Sequence, residues 1–365
     1  MRKNVLISTT RQWNPGDEFI MQGTLNILTE AFGDRYNPII FNRNPDIRGG
    51  SKWRNPSRKM RLTHWWDKKN FRGKGILQEA LRIGHFDNSY KDDMNPENID
   101  LALFAGSPEW FGSRLIPMYE AIEAASIPTI FLGLGAGNRS AFSSAIPAVD
   151  RVLQKAKIIT TRERDTEKLL EKYGAKYVPC PALLAANSNH VVTHVNRIGL
   201  IYATSYTISG NNVSNVMHNY LMKLFPEIIK RYDVGIVCHY IDELDQAMRE
   251  FPGVDIYYSY DSKDYANIFK SFDLVIGGRV HGIGMGASLG IPGIMIRHDS
   301  RSKTTDGFLA SSIDIGTPIS EVIRLIEEMK AGKKVETLSL QLVEHKKNVM
   351  NRYVALLQEK LGGWN

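Results

Sequence analysis

The sequence predicts an α/β protein with two doubly wound parallel-sheet domains that face one cleft. Short apolar runs of strand length alternate with amphipathic helical stretches, and this rhythm stops in one polar segment and then restarts. Such alternation is typical of parallel sheets that are covered by helices on both faces. The length of 365 residues also exceeds what one hydrophobic core usually organises, so two domains are expected.

The first half of the chain carries the first series of strands and helices. It opens with the apolar run NVLIS, and apolar positions at helical spacing follow over 18–32, ending at Gly33. Further strands are predicted at 99–106, 127–135 and 156–162. Helices are predicted between and after them, at 114–125 and 164–173.

The second half repeats the pattern. Strands are predicted at RIGLIYAT, DVGIVCHY, VDIYYSY and DLVI. Helices are predicted at 215–232, 242–251, 261–272, from near His281 to Gly290, at 318–330 and at roughly 338–361. The stretch HDSRSKTTDGF, which follows the next strand, is predicted to be a loop.

A polar and aperiodic stretch, ANSNHVVTHVN, separates the two series and predicts a linker. The predicted parts are a Rossmann-like domain over 1–186, a linker over 187–196, a second Rossmann-like domain over 197–337, and a C-terminal helix over 338–365 that packs back on the first domain. This arrangement is similar to the GT-B architecture. Ligands of open parallel sheets bind beyond the carboxyl ends of the strands, so the loops that follow strands are expected to line the cleft.

Composition excludes several classes of protein. An apolar content of 43% and a charged content of 23% are ordinary for a globular protein. No N-terminal apolar run resembles a signal peptide, and no window reaches the ~18 apolar residues of a membrane span, so a cytoplasmic location is expected. Cys180 and Cys238 have no metal-ligand spacing, so we expect no metal site and no disulfide.

A basic, aromatic segment, predicted as an insertion over 43–98, breaks the first series. Its part from Arg43 to Lys74 has eleven basic and two acidic residues, a net charge of +9 that leaves −2 for the rest of the +7 chain. One interpretation is a solvated insertion with a small core. The other is peripheral contact of 43–75 with anionic lipids at the inner face of the membrane. Nucleic-acid binding is disfavoured, because no recognised binding motif accompanies the charge.

Polar residues follow the first strand. Asp17 is predicted to be the N-cap of the first helix, and Asn14 and Gly16 are expected to form a polar cradle at the mouth of the cleft. The turn FLGLGAGN follows a later strand, but it lacks the spacing of the dinucleotide fingerprint. Its glycines are expected either to let a ligand approach the backbone or to let a helix pack closely.

Cations are expected on the same rim. Arg162 follows a strand and can bind phosphate or carboxylate, or else pair with Glu163 or Asp165. Lys303 and His239 follow two other strands and are further candidates for substrate binding.

The segment GGRVHG joins a buried strand to a helix. A helix N-terminus attracts anions, and Arg279 adds a formal charge there. The same position should lower the pKa of His281, so that a bound anion would restore its protonated form. The alternative is a structural ion pair for Arg279 and a histidine satisfied by the backbone.

Together these loops resemble the polysaccharide pyruvyl transferase family. The resemblance rests on NPGD at 14–17, the Gly-rich turn, Arg162-Glu163, GGRVHGIGMGASLGIP at 277–292, and Asp299 to Lys303. It implies a GT-B-like fold and transfer of the enolpyruvyl unit of phosphoenolpyruvate, the donor substrate, to a saccharide or lipid-linked saccharide as a ketal, without a further cofactor. It implies that His281 is the general acid and that Arg279, Arg162 and Lys303 bind donor anions.

Two other functions stay open from the sequence. One is a GT-B glycosyltransferase or nucleotide-sugar epimerase, which should carry a carboxylate for a ribose at the end of the second sheet, where 277–303 offers cations. The other is a non-catalytic saccharide- or anion-binding protein that keeps the fold.

Overall fold

The architecture consists of two parallel sheets flanked by helices. The computed structural model describes residues 2–9, 14–42, 66, 98–106, 108–111, 115–136, 146–206 and 212–362. Within these residues each sheet has six strands, and every neighbouring pair of strands runs parallel. The predicted fold class, two doubly wound parallel sheets, is confirmed.

The N-terminal sheet begins the chain. Its strands are β1 (Lys3–Thr9), β2 (Tyr36–Asn42), β3 (Leu101–Ala105), β4 (Thr129–Leu134), β5 (Ile158–Thr161) and β6 (Lys176–Tyr177). Its helices are α1 (Pro15–Phe32), α2 (Ile116–Ala124), α3 (Pro147–Lys155) and α4 (Arg164–Leu169). The strand order is β2-β1-β3-β4-β5-β6.

The C-terminal sheet follows a polar connection. Its strands are β7 (Arg197–Ile201), β8 (Asp233–Val237), β9 (Asp255–Tyr257), β10 (Leu274–Gly277), β11 (Gly293–Arg297) and β12 (Ser311–Asp314). Its helices are α5 (Asn215–Ile229), α6 (Ile241–Glu250), α7 (Tyr265–Phe269), α8 (Val280–Leu289), α9 (Ile319–Lys330) and α10 (Lys334–Lys360). The order β12-β11-β10-β7-β8-β9 is that of dinucleotide-binding sheets, so a crevice opens where β7 and β10 meet.

The two sheets share a hydrophobic core. In β1, Val5 and Ile7 belong to a cluster that continues into the C-terminal sheet at Ile198, whereas Leu6 belongs to a second cluster with Phe104. This division follows from the pleat, which directs successive side chains to opposite faces. One face of the N-terminal sheet therefore packs into the same core as the C-terminal sheet.

Three edge strands were not predicted from the sequence. β2, β6 and β12 end their sheets, and they bury fewer side chains than the inner strands. Edge strands tolerate proline and polar residues, and these residues interrupt the apolar run from which a strand is predicted. β2, for example, contains Pro38. The prediction of a loop over 298–308 was also wrong, since Ser300–Phe308 forms a 3-10 helix.

The long helix α10 connects distant parts of the chain. Tyr353 donates to the carbonyl of Pro179 at 2.8 Å, and Ser339 donates to that of Gly290 at 2.7 Å. Lys346 Nζ donates to the carbonyls of Ala186 and Ser288, both at 2.7 Å, and burial lowers its pKa to about 8. α10 thereby joins the end of α8 to the segment predicted as the linker. The domain boundaries at 186 and 197 stay a prediction.

Gly23 should be essential for packing α1. A Cβ at this position would lie 1.8 Å from the carbonyl oxygen of Pro181, which belongs to backbone that cannot move easily. We expect Gly23→Ala to reduce the free energy of unfolding by about 2 kcal/mol or more, although alanine favours a helix by about 1 kcal/mol. Denaturant unfolding would measure this. Gly362→Ala, which adds a Cβ in open space, is the control. Equal stabilities would contradict this packing.

Candidate functional site

Loops at the carboxyl ends of the two sheets meet in a single polar region. Hydrogen bonds connect them directly. Tyr240 Oη, after β8, donates to Asn14 Oδ1, before α1, at 3.2 Å. Thr304 Oγ1, after β11, donates to Glu163 Oε1, after β5, at 2.7 Å. Hydrogen bonds thus join the loops of one sheet to those of the other, and both sets of loops carry predicted site residues.

His281 is the second residue of α8 and is half-buried. Its Nε2 lies 3.3 Å from Arg162 Nη1, which comes from the other sheet. A guanidinium has only N–H donors, so Nε2 accepts and the ring proton of the neutral imidazole is on Nδ1. Nδ1 faces α1, where a Cβ on Gly16 would lie 2.5 Å from it. Gly16 therefore leaves the space that the imidazole occupies.

The pKa of His281 lies well below the ordinary value for histidine. Burial is the largest cause, and the nearby cations Arg162 and Arg301 add to it, followed by His239. The sequence predicts a lowered pKa from the helix N-terminus, and the direction agrees, with burial and the neighbouring cations as the causes that the structure shows. His281 is thus neutral near pH 7 in this arrangement.

Arg162 is the most deeply buried cation of the site, with a side chain only 2% exposed. Its Nε donates to Glu163 Oε1 at 3.3 Å, which is the ion pair that the sequence left as an alternative. A Cβ on Gly135 would lie 2.6 Å from Nε, so the glycine of the turn after β4 makes room for the guanidinium. This contact is the close approach to the backbone that the Gly-rich turn permits.

Arg279 precedes α8 as its N-cap residue. Its guanidinium forms an ion pair with Glu243 and lies 4.9 Å from the centre of the Tyr240 ring. The Glu243 side chain is fully buried and also accepts from the backbone N–H groups of His239, at 2.9 Å, and Tyr240, at 3.2 Å. The sequence did not identify Glu243, because an acidic residue in a first helical turn is ordinary.

Asn14, and not Asp17, is the N-cap of α1. The Asn14 side chain accepts from the Gly16 N–H at 3.0 Å. The prediction for Asp17 was therefore wrong: this residue lies within the first turn, where it is buried and its charge favours the protonated form of Arg162. Asparagine and aspartate are both good N-cap residues. Asn14, which is the N-cap in the structure, also accepts a hydrogen bond from Tyr240.

Lys303 and His239 occupy different environments. Lys303 Nζ is 2.7 Å from Asp165 Oδ2, and its side chain is 60% exposed, so it lies at the outer rim. His239 is buried edge-on against Phe19 and Tyr265, and its Nε2 has no hydrogen-bond partner among the described residues. Burial, followed by the charge of Arg279, lowers its pKa to about 3.

The family model for polysaccharide pyruvyl transferase matches residues 14–300, which include every residue of this site except Arg301, Lys303 and Thr304. The chain belongs to the polysaccharide pyruvyl transferase family. The family is one of transferases, and the sequence resemblance is thereby confirmed. No curated protein matches the chain in sequence.

Solved structures similar to this pyruvyl transferase family member share its fold at low identity. A candidate UDP-N-acetylglucosamine 2-epimerase from Listeria monocytogenes has 13% identity and a TM-score of 0.61, over 100% of this chain and 98% of that chain. The UDP-GlcNAc 2-epimerase from Methanocaldococcus jannaschii has 14% identity and a TM-score of 0.53, over 92% and 94%. The UDP-GlcNAc 2-epimerase from Neisseria meningitidis, bound to UDP-GlcNAc, has 11% identity and a TM-score of 0.51, over 94% of this chain and 99% of that chain. These likenesses establish the GT-B-type fold alone.

Several sequence predictions for this family member fall outside the described residues. One is the basic insertion over 43–98, of which only Trp66 and Asn98 are described. Another is its membrane contact through 43–75. Gly137 of the Gly-rich turn lies outside them too. No helix within the described ranges is long and apolar enough to cross a membrane.

Removal of the neighbouring cations should raise the pKa of His281. We expect Arg162→Gln to raise it most, because the variant removes the nearest positive charge and leaves Glu163 uncompensated, and Arg301→Gln to raise it less. NMR titration of the imidazole, assigned with His281→Asn, would measure both shifts. Lys303→Gln is the control, since Lys303 pairs with Asp165 instead. A pKa unmoved by Arg162→Gln would contradict the described contact.

Proposed function

We propose that this protein transfers the pyruvyl group of phosphoenolpyruvate to two hydroxyls of a saccharide, forming a ketal. One observation carries the proposal: Arg162, from the N-terminal sheet, meets His281, from the C-terminal sheet, with Arg279 two residues away. A donor with a phosphate and a carboxylate requires cations next to a group that can supply a proton. The match to the family model supports the reaction class.

Arg162 would couple donor binding to the protonation of His281. In the structure its Nη1 group donates to His281 Nε2, the nitrogen that must gain a proton before the imidazole can act as an acid. A donor anion beside Arg162 competes for the same N–H group, because a charge-assisted bond to phosphate or carboxylate is stronger than one to a neutral ring. Nε2 is then released beside a new negative charge, and its pKa rises.

The proposed chemistry then proceeds from the imidazolium of His281. It protonates the methylene carbon of the enolpyruvyl group, which becomes a methyl group, while positive charge develops at the neighbouring carbon. The first saccharide hydroxyl adds to that carbon and returns its proton to His281. The carbon–oxygen bond to phosphate breaks, and the second hydroxyl closes the ketal. The second hydroxyl proton leaves with the phosphate, so that protons and charges balance.

The remaining polar residues would bind the substrates around this centre. Asn14, Gly16 and Asp17 begin α1 directly opposite His281, and His239 lies behind α8. Lys303 would reach a donor or acceptor from the outer rim by leaving Asp165. We propose a saccharide or lipid-linked saccharide of cell-surface or extracellular polysaccharide synthesis as the acceptor, met at the cytoplasmic side of the membrane.

Phosphate release from phosphoenolpyruvate with a panel of saccharide acceptors tests the activity. We expect release that depends on the acceptor and a ketal detectable by mass spectrometry. His281→Gln should reduce turnover by at least about a hundredfold, the lower range for loss of a general acid. His194→Gln, which changes an exposed histidine, is the matched control. If no acceptor gives release and a nucleotide sugar stabilises the protein, the epimerase or glycosyltransferase alternative is favoured. If His281→Gln keeps full turnover, His281 is not the acid.

The pH dependence should differ between kcat/KM and kcat. His281 must be protonated to act, so activity falls as pH rises through its pKa. In the free protein that pKa is well below the ordinary value, and kcat/KM should decline with pH across the neutral range. In the donor complex the added anion raises the pKa, so kcat should persist to higher pH. Coincident declines in the two profiles, corrected for the ionisation of phosphoenolpyruvate itself, would argue against this coupling.

A further inference from the structure

Glu243 combines full burial with a negative charge, and its two carboxylate oxygens have separate tasks. Oε2 accepts from the backbone N–H groups of His239 and Tyr240, at the start of α6. Oε1 faces the Arg279 guanidinium. A buried carboxylate is costly unless its oxygens are satisfied, so the pair with Arg279 is needed for its charge. Burial raises the pKa of Glu243, and Arg279 opposes that shift.

The position of Arg279 is fixed from several sides. The Arg279 guanidinium contacts Glu243 and the face of the Tyr240 ring, and the Tyr240 hydroxyl in turn donates to Asn14 at the start of α1. The side chain of Arg279 is only 12% exposed. Its long aliphatic stem would otherwise allow many rotamers, and each immobilised side chain of this kind costs binding free energy when a ligand must order it.

We propose that Glu243 is a positioning residue of the donor site: it orients the Arg279 guanidinium at the start of α8, the helix that carries His281, before phosphoenolpyruvate arrives. This inference rests on the proposed function. Glu243 itself does not touch the donor; it acts through Arg279. Orientation in advance lowers the cost of binding a charged ligand, so the effect of Glu243 belongs in donor affinity rather than in the chemical step.

Glu243→Gln separates the two tasks of this side chain. A carboxamide has one acceptor oxygen and one donor group. If its oxygen faces the backbone N–H groups of His239 and Tyr240, the start of α6 is preserved, but its NH₂ group then faces the guanidinium, which also only donates. The variant therefore keeps the helix cap and releases Arg279. Glu250→Gln is the matched control, because Glu250 ends the same helix and accepts from Tyr202 and Gln246 instead.

Calorimetric titration with phosphoenolpyruvate, together with steady-state kinetics, tests the proposal. We expect Glu243→Gln to weaken binding by at least about tenfold, with kcat at saturating donor changed by less than about threefold. Glu250→Gln should bind like the wild type. In an Arg279→Gln background, Glu243→Gln should weaken binding no further, because its only route to the donor has been removed.

The outcomes distinguish the two proposals. Wild-type protein that neither binds phosphoenolpyruvate nor releases phosphate overturns the proposed function and this inference with it. If the wild type binds phosphoenolpyruvate and Glu243→Gln binds it with equal affinity, the positioning role of Glu243 is overturned and the proposed function is not. A lower melting temperature and lower active fraction at unchanged affinity would show a structural role and also overturn it. Should Glu243→Gln not fold, Glu243→Asp, whose shorter side chain cannot hold both partners, should weaken binding by at least about threefold.

Discussion

The burial of the Arg162 cation is the constraint on which the cleft depends. Removal of a guanidinium from water costs several kcal/mol unless its charge and N–H groups are matched. Glu163 supplies the charge, and the Glu163 carboxylate accepts from Thr166 of α4 and from Thr304, which follows a strand of the C-terminal sheet. Gly135 supplies the space. The C-terminal sheet completes this arrangement, since Thr304 donates to Glu163 and His281 contacts Arg162.

The site balances the charges of its two arginines internally. Arg162 pairs with Glu163, Arg279 pairs with Glu243, and the imidazole of His281, which contacts Arg162, is neutral. Each arginine is therefore held in place by a carboxylate. Under the proposed function, an anionic donor brings the negative charge that His281 requires, whereas a neutral sugar brings none. The order donor first, acceptor second is then favoured by electrostatics alone.

The sequence predicted the inner strands and the residues next to them, but not the contacts between distant loops. Buried parallel strands are continuous apolar runs, and Arg279 and His281 interrupt such a run conspicuously. Glu243 escaped notice because its burial depends on Arg279, which lies 36 positions later. Asn14 was passed over as N-cap in favour of Asp17, since both are good caps and the contact that accompanies the choice comes from Tyr240, 226 positions away.

The contacts of α10 determine which part of the fold can be completed last during synthesis. Its buried residues, among them Leu342, Tyr353 and Leu357, cover core that the earlier elements leave open, and Lys346 donates to the Ser288 carbonyl near the end of α8, whose other end carries His281. On the ribosome both sheets emerge before this helix does. The nascent chain therefore exposes an apolar surface along the helices and connections that α10 later covers, and the far end of the helix that presents the imidazole gains its contacts with α10 only after both sheets have been made.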